Sequence, residues 1–145
     1  GTIYNYYESK ADLLGDTIES IWREIFFNPE DEQAFNDVAA CISWIYKRLE
    51  YGNEQFPGFF SLHSLGFMKD EKMDGKKKML QTWGHILNGL CDILKNDPKI
   101  RPDVFDEQFT EKQFADILFS LILVSMIRQD YNPSSILMLI NKTLY

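Results

Sequence analysis

Residues 110–127 read TEKQFADILFSLILVSMI, and this stretch decides the fold class. Thr110 followed three residues later by Gln113 is typical of a capping box, the reciprocal hydrogen-bonded start of an α-helix. The helix that follows is apolar on nearly every side, so it needs packing partners on more than one face. A small domain cannot cover such a helix from within, and we therefore expect part of its surface to contact another subunit.

Helix start and stop signals dominate the rest of the chain. Ser9 with Asp12 predicts a second capping box, and the pairs Asn28-Pro29 and Asn132-Pro133 each predict a cap followed by a first helical residue. The predicted helices cover about 9–27, 29–51, 79–94, 110–127 and 133–144, and the second buries Phe35, Val38, Ile42, Ile45 and Leu49. No run alternates strictly between apolar and polar residues, so the predicted class is all-α.

The composition indicates a folded, acidic chain. Its 145 residues are 45% hydrophobic, and 22 acidic against 15 basic side chains give a net charge of −7. That length suits one compact domain, and the charge repels a polyanion, so any DNA contact must be local. Cys41 and Cys91 stand far apart in apolar surroundings, which is typical of reduced core cysteines in a cytoplasmic protein. We expect neither a membrane span nor a signal peptide.

Residues 1–14, GTIYNYYESKADLL, carry the most specific motif of the chain. This segment resembles the end of the DNA-binding motif in TetR-family transcriptional regulators, where it spans the recognition helix and the start of the next helix. The remaining residues resemble that family by helix order only. The resemblance implies a remnant of the recognition helix at residues 1–8 and an all-α ligand-binding and dimerisation domain at residues 9–145.

Four residues fall where relatives in this family contact the DNA backbone: Thr2, Tyr4, Tyr6 and Lys10. Their chemistry suits that role, because a hydroxyl, two phenols and an ammonium group all donate hydrogen bonds to phosphate. Position 6 is often histidine in the family, so Tyr6 departs from the pattern. The family also has two helices and the start of a third ahead of this point, and we expect operator binding only from a chain that carries them.

The resemblance implies a one-component, ligand-responsive regulator, a repressor released from its operator by a small hydrophobic or aromatic molecule. The predicted effector pocket lies between the central helical segments and is lined by Trp22, Trp44, Phe60, His63, Trp83 and Leu87. Trp83 and Leu87 share one helix face at i and i+4. Trp44 lies off the main stripe of its helix and faces either the pocket or a neighbouring helix.

Four further residues of the central helical segments leave alternatives open. His85 is either part of a solvated face or a polar lining of the pocket. Gly84 and Gly89 each cost a helix about 1 kcal/mol relative to alanine, which indicates either close helix packing or room for a ligand. His63 either donates to a ligand or binds a backbone carbonyl.

The last two predicted helices supply the predicted homodimer interface, which comprises Ile117, Leu121, Val124, Ile136 and Ile140. No metal or cofactor site is expected, because no cysteine, histidine or carboxylate cluster has metal-ligand spacing. No catalytic residue is expected either, because the sequence has no nucleophile elbow and no Gly-rich phosphate loop. The main rival hypothesis is an all-α protein-interaction or dimerisation module without DNA binding, and a helical-bundle enzyme is the third.

Overall fold

The computed structural model describes residues 20, 21, 23–26, 36–57 and 74–145, with side chains of the last range from Gln81 onward except Thr82. Four helices have defined bounds: α1 (Val38–Gln55), α2 (Asp74–Asn96), α3 (Glu111–Arg128) and α4 (Ser134–Leu144). The described residues of 20–26 are also helical, and no strand occurs in the described part of the chain. The all-α prediction is confirmed.

Local capping determines where these helices begin. The Thr110 side chain accepts from Gln113 N at 3.2 Å while Thr110 N donates to Gln113 Oε1 at 2.8 Å, so the predicted capping box of α3 is confirmed. α1 begins later than predicted, at Val38, because Asp37 is extended and accepts from Ala40 N at 2.7 Å. The helix is therefore not continuous from Pro29. It also runs on to Gln55, beyond the predicted stop at Gly52.

The core lies where the four helices meet. α2 packs along α3, and α1 contacts both α2 and α4. Val38, Ile42, Ile45 and Leu49 are buried as predicted, while Phe35 lies outside the described residues. The other helices contribute Leu90, Ile93 and Leu94 from α2, Phe114, Leu118, Ile122 and Met126 from α3, and Ile136, Ile140 and Leu144 from α4.

A polar junction after α2 joins three helix ends. Asp97 is buried, and its carboxylate accepts from Val38 N at 3.1 Å, from Lys99 N at 2.9 Å and from the Tyr145 hydroxyl. Burial and the adjacent Asp97 carboxylate raise the pKa of Tyr145, so its hydroxyl keeps its proton at neutral pH. Arg101 closes the same junction, donating to the carbonyls at the end of α4. These bonds occupy backbone groups that lack partners within a helix.

The ends of α1 and α3 show two further contacts of this kind. Asp37 forms an ion pair with Lys99 at 3.0 Å, and the hydrogen bond from Ala40 together with Lys99 lowers the pKa of the Asp37 carboxyl. α3 ends at Arg128, and the positive φ of 54° at the following Gln129 turns the chain back so that Asp130 N donates to the Ser125 carbonyl at 3.0 Å. The connection to α4 is consequently short.

Candidate functional site

A cavity of about 160 Å³ lies between residues 20–26, α1 and α2, and we call it the aromatic cleft. It is partly open to solvent and almost wholly apolar. Phe26 and Trp44 form its aromatic wall, with ring centroids 6.3 Å apart in an edge-to-face arrangement. Its described lining residues are Phe26, Cys41, Trp44, Ile45, His85, Ile86, Gly89, Leu90 and Ile93. An apolar cavity of this size can hold a small apolar molecule.

Cys41 and His85 are the cysteine and the histidine among the described lining residues of the aromatic cleft. The Cys41 thiol is buried, and burial, reinforced by the negative charge of Asp37, raises its pKa to about 12. It is therefore a neutral thiol near pH 7. His85 is exposed at the mouth of the cleft. Among the described lining residues, the interior therefore has no charged side chain, and the His85 imidazole offers hydrogen bonds at the rim.

Arg48 of α1 holds the helical segment that supplies Phe26. Its guanidinium donates from Nε to the Ile25 carbonyl and from Nη2 to the Glu24 carbonyl, the latter at 2.8 Å. The same guanidinium stands 4.4 Å from the centroid of the Tyr51 ring, a cation–π geometry that fixes its orientation. One wall of the aromatic cleft is thus attached to α1 by two hydrogen bonds from a single side chain.

The structure brings together a different set of cleft residues from the predicted one. Trp44 lines the aromatic cleft, whereas Trp83 packs edge-to-face on Phe119 of α3 at 5.7 Å. Trp83 and Leu87 lie roughly 90° and 130° around α2 from the mean direction of its cleft residues, given 3.6 residues per turn. Neither is among the described lining residues of this cavity, and their role in ligand binding stays a prediction. Trp22, Phe60 and His63 lie outside the described residues.

Phe26, Cys41 and Gly89 line the cleft but were not predicted as lining residues. Two features of the sequence, Gly89 and His85, did indicate a pocket in this region. The mid-helix Gly89 and the polar His85 left open the reading that both belong to a pocket, and both line the aromatic cleft. Phe26 is an apolar residue at helical spacing, which does not distinguish a pocket wall from ordinary core. Only the packing of the segment against α1 reveals its role.

The second candidate surface is a stripe of exposed apolar residues along α3, which we call the outer stripe. It consists of Ile117, Leu121, Val124 and Ile127, which are 37–47% exposed and are spaced by four, three and three residues. Met138 and Leu139 of α4 are exposed beside it, at 55% and 43%. Between the two helices lies a groove of about 360 Å³, with Leu121, Val124 and Leu139 on its apolar side and Arg128 and Asp130 on its polar side.

The outer stripe includes three of the five residues predicted for the subunit interface: Ile117, Leu121 and Val124. Ile136 and Ile140, the other two, are 7% and 0% exposed and belong to the core of the chain. α4 packs on α1, and both side chains are covered within the chain, although Ile136 still contributes to the lining of the groove. Met138 and Leu139 are the apolar residues that α4 exposes instead.

A hydrogen bond links α1 to the edge of this surface. The Tyr46 hydroxyl and Ser125 Oγ are 2.6 Å apart, and Ser125 Oγ donates its own proton to the Leu121 carbonyl at 3.0 Å. The phenol is therefore the donor in the first bond. Burial, as the largest cause, raises the pKa of Tyr46, so that this donor keeps its proton at neutral pH.

The described residues test few of the remaining predictions. Thr2, Tyr4, Tyr6 and Lys10 all lie outside them. Across residues 20–26, 36–57 and 74–145, apart from masked positions, no cluster of three or more histidine, cysteine or carboxylate side chains could hold a metal ion. Among the described helices, none is long and apolar enough to cross a membrane.

Comparison with known proteins adds no assignment. The chain matches no protein-family model, no curated protein and no solved structure. The relation of residues 1–14 to TetR-family regulators therefore stays a prediction. The aromatic cleft and the outer stripe are the structural features that bear on function.

Proposed function

We propose that this chain is the effector-binding and dimerisation part of a ligand-responsive, DNA-binding transcriptional regulator of the TetR type. The observation that carries the proposal is the position of Phe26 in the wall of the aromatic cleft. Phe26 ends the described helical segment of residues 20–26, and that segment follows the residues that resemble a DNA-recognition helix. A molecule in the cleft therefore touches the part of the chain that leads to the proposed DNA contact.

The mechanism requires a ligand that binds two conformations of this segment with different affinity. Two recognition helices in a dimer must lie about 34–36 Å apart to enter successive major grooves. A ligand that displaces Phe26 changes that spacing and weakens operator binding. The resulting device is a cytoplasmic repressor that a small hydrophobic or aromatic molecule releases from DNA.

A homodimer is the second part of the proposal. The outer stripe and the exposed Met138 and Leu139 supply six exposed apolar side chains on α3 and α4, and Leu121, Val124 and Leu139 among them line one groove. A two-fold axis would place this surface against its copy, so that the same exposed residues are covered in both subunits. A stable interface of this kind buries on the order of 1,200–2,000 Å² in total.

The test compares two chains for binding to operator DNA. The first is the 145-residue chain, and the second is the product of its gene including any residues encoded ahead of Gly1. The longer chain should select a pseudo-palindromic site from random DNA, and Lys10→Ala should weaken binding about equally on all sequences and lower the salt slope by about one unit. Tyr4→Phe should also weaken all sequences about equally. If the longer chain ignores DNA, the proposed function is wrong.

The second candidate function is an all-α protein-interaction module, and the outer stripe favours it too. An exposed apolar helix face serves a different protein as well as a second copy. The same DNA-selection experiment separates the two functions, because only a regulator gains specific DNA binding when residues ahead of Gly1 are present.

A further inference from the structure

Gly89 lies in the interior of the continuous helix α2, and no contact with the described residues requires a glycine there. A glycine in the interior of a helix is less stable there than alanine, and close approach of another backbone is a common reason for its presence. A Cβ atom built on Gly89 meets no described atom within 4 Å. Gly89 lines the aromatic cleft, so the space that a side chain would occupy there is the space of the cavity.

The volume and the walls of the cleft define the size and kind of molecule that fits. An apolar cavity of about 150 Å³ accommodates a benzene ring, and the aromatic cleft has about 160 Å³. Phe26 and Trp44 already meet edge to face, and a third ring between them and α2 extends that favourable arrangement. A single aromatic ring with a short substituent matches this space, whereas two fused rings would have to extend out of its open side.

The polarity of the cleft defines the substituent. The interior has no charged side chain among its described lining residues, because Cys41 is a neutral thiol. A charged group would lose its hydration there without compensation. His85 stands at the open rim, and an imidazole can either donate to or accept from a hydroxyl group. The substituent that fits is therefore an uncharged hydroxyl directed at the rim.

We propose that the aromatic cleft binds an uncharged, single-ring phenol, with the ring between Phe26, Trp44 and Gly89 and the hydroxyl group at His85. Gly89 sets the size limit of the ligand. Phenols of this kind would be the effectors of the proposed regulator. Only this regulatory role of the ligand rests on the proposed function. The binding itself is a property of the 145-residue chain and needs no DNA.

The first experiment titrates the 145-residue chain with p-cresol and follows tryptophan fluorescence and calorimetric heat. Gly89→Leu fills the cleft and should weaken p-cresol binding by at least tenfold. Gly84→Leu is the matched control, because Gly84 is also a glycine of α2 with no described atom within 4 Å of a Cβ but is not a lining residue of the cleft. It should change the affinity by less than twofold.

Gly89→Ala separates loss of binding from loss of folding. Alanine favours the helix, so this variant should melt at a higher temperature than the parent chain while binding p-cresol less tightly. A merely structural role of Gly89 predicts the higher melting temperature with unchanged p-cresol affinity. That result, or equal weakening by Gly84→Leu and Gly89→Leu, would overturn the assignment of Gly89.

The second experiment varies the probe. The parent chain should bind p-cresol about fivefold more tightly than toluene, the gain expected for one hydrogen bond, and His85→Leu should abolish that preference without weakening toluene. 1-Naphthol should bind at least tenfold more weakly than p-cresol. The inference fails if neither p-cresol nor toluene binds, or if 1-naphthol binds as tightly as p-cresol. Either failure leaves the DNA-selection test of the proposed function unaffected.

Discussion

The inner and outer faces of α3 have the same apolar character and opposite surroundings. Phe114, Leu118, Ile122 and Met126 on the inner face are at most 3% exposed, because α2 and the rest of the core cover them. The outer stripe is equally apolar and is 37–47% exposed. Hydrophobicity along the helix therefore does not tell which face folds the chain and which face is left for a partner. Only the positions of the other helices separate the two.

The largest difference is expected between two leucines less than one turn apart on α3. Leu118→Ala creates a cavity in the core and should lower the free energy of unfolding by about 2–5 kcal/mol. Leu121→Ala removes a partly exposed side chain and should cost less than about 1 kcal/mol within one chain. Urea denaturation at low protein concentration measures both, because subunit association then contributes least. Equal losses would contradict the separation of the two faces.

A change remote from both faces should lower stability without affecting the outer stripe. Asp97→Asn replaces an acceptor of three hydrogen bonds in the polar junction and should cost about 1–3 kcal/mol. Asp92→Asn, on the exposed side of α2, is the control and should cost less than about 0.5 kcal/mol. Thermal melts give the stability, and light scattering should give the same mass for both variants. A change of mass in Asp97→Asn would show that the outer stripe depends on the junction.

A smaller effect is expected from the hydrogen bond at the border between the two faces. Tyr46→Phe removes the donor to Ser125 but keeps the ring, so the free energy of unfolding should fall by about 1 kcal/mol. Tyr51→Phe removes a hydroxyl whose bond to Glu24 Oε1 is long, at 3.4 Å, and should have little effect. The comparison is made by urea denaturation. An unchanged Tyr46→Phe midpoint would show that this bond does not stabilise the fold.

The smallest effect concerns pH. The pKa of Asp37 is lowered in the folded chain, so its contribution to stability is complete above its unfolded value, near 3.8, and is lost as pH falls through the lowered folded value. Because its ion-pair partner Lys99 is largely exposed, solvent screening keeps the change small. Asp37→Asn keeps a capping side chain without the charge and should reduce the loss of stability below about pH 4. Urea midpoints between pH 2.5 and about 7 measure this loss of stability. If the variant loses stability with falling pH as the parent chain does, other groups cause the loss.

The sequence predicted what short-range chemistry determines. The capping box of α3 needs only Thr110 and Gln113, and it forms as expected. The start of α1 was misplaced because Asn28 and Asp37 are both good caps by type. Asp37 has the support of Lys99, and Val38 N binds Asp97, both about 60 residues away along the chain. A local pattern does not contain that information.

The candidate site was less predictable, because a pocket depends on how each helix is rotated about its own axis. Trp83 and Trp44 are similar residues on two adjacent helices, yet Trp83 faces Phe119 and Trp44 faces the cleft. Ile136 and Ile140 likewise resemble the outer stripe in sequence but pack inward. The sequence identified the apolar excess of α3, and the packing of α4 then decided which residues remain exposed.

The central claim is that the outer stripe, with Met138 and Leu139, is the surface of a homodimer, and sedimentation equilibrium tests it directly. At micromolar concentration the parent chain should have twice the mass of one chain. Leu121→Glu combined with Leu139→Glu places four charges in the interface of a two-fold dimer and should give the mass of one chain with unchanged helix content. Lys112→Glu, an exposed substitution off the stripe, should stay dimeric. A parent chain that is monomeric at every concentration, or a double variant that remains dimeric, would contradict the account.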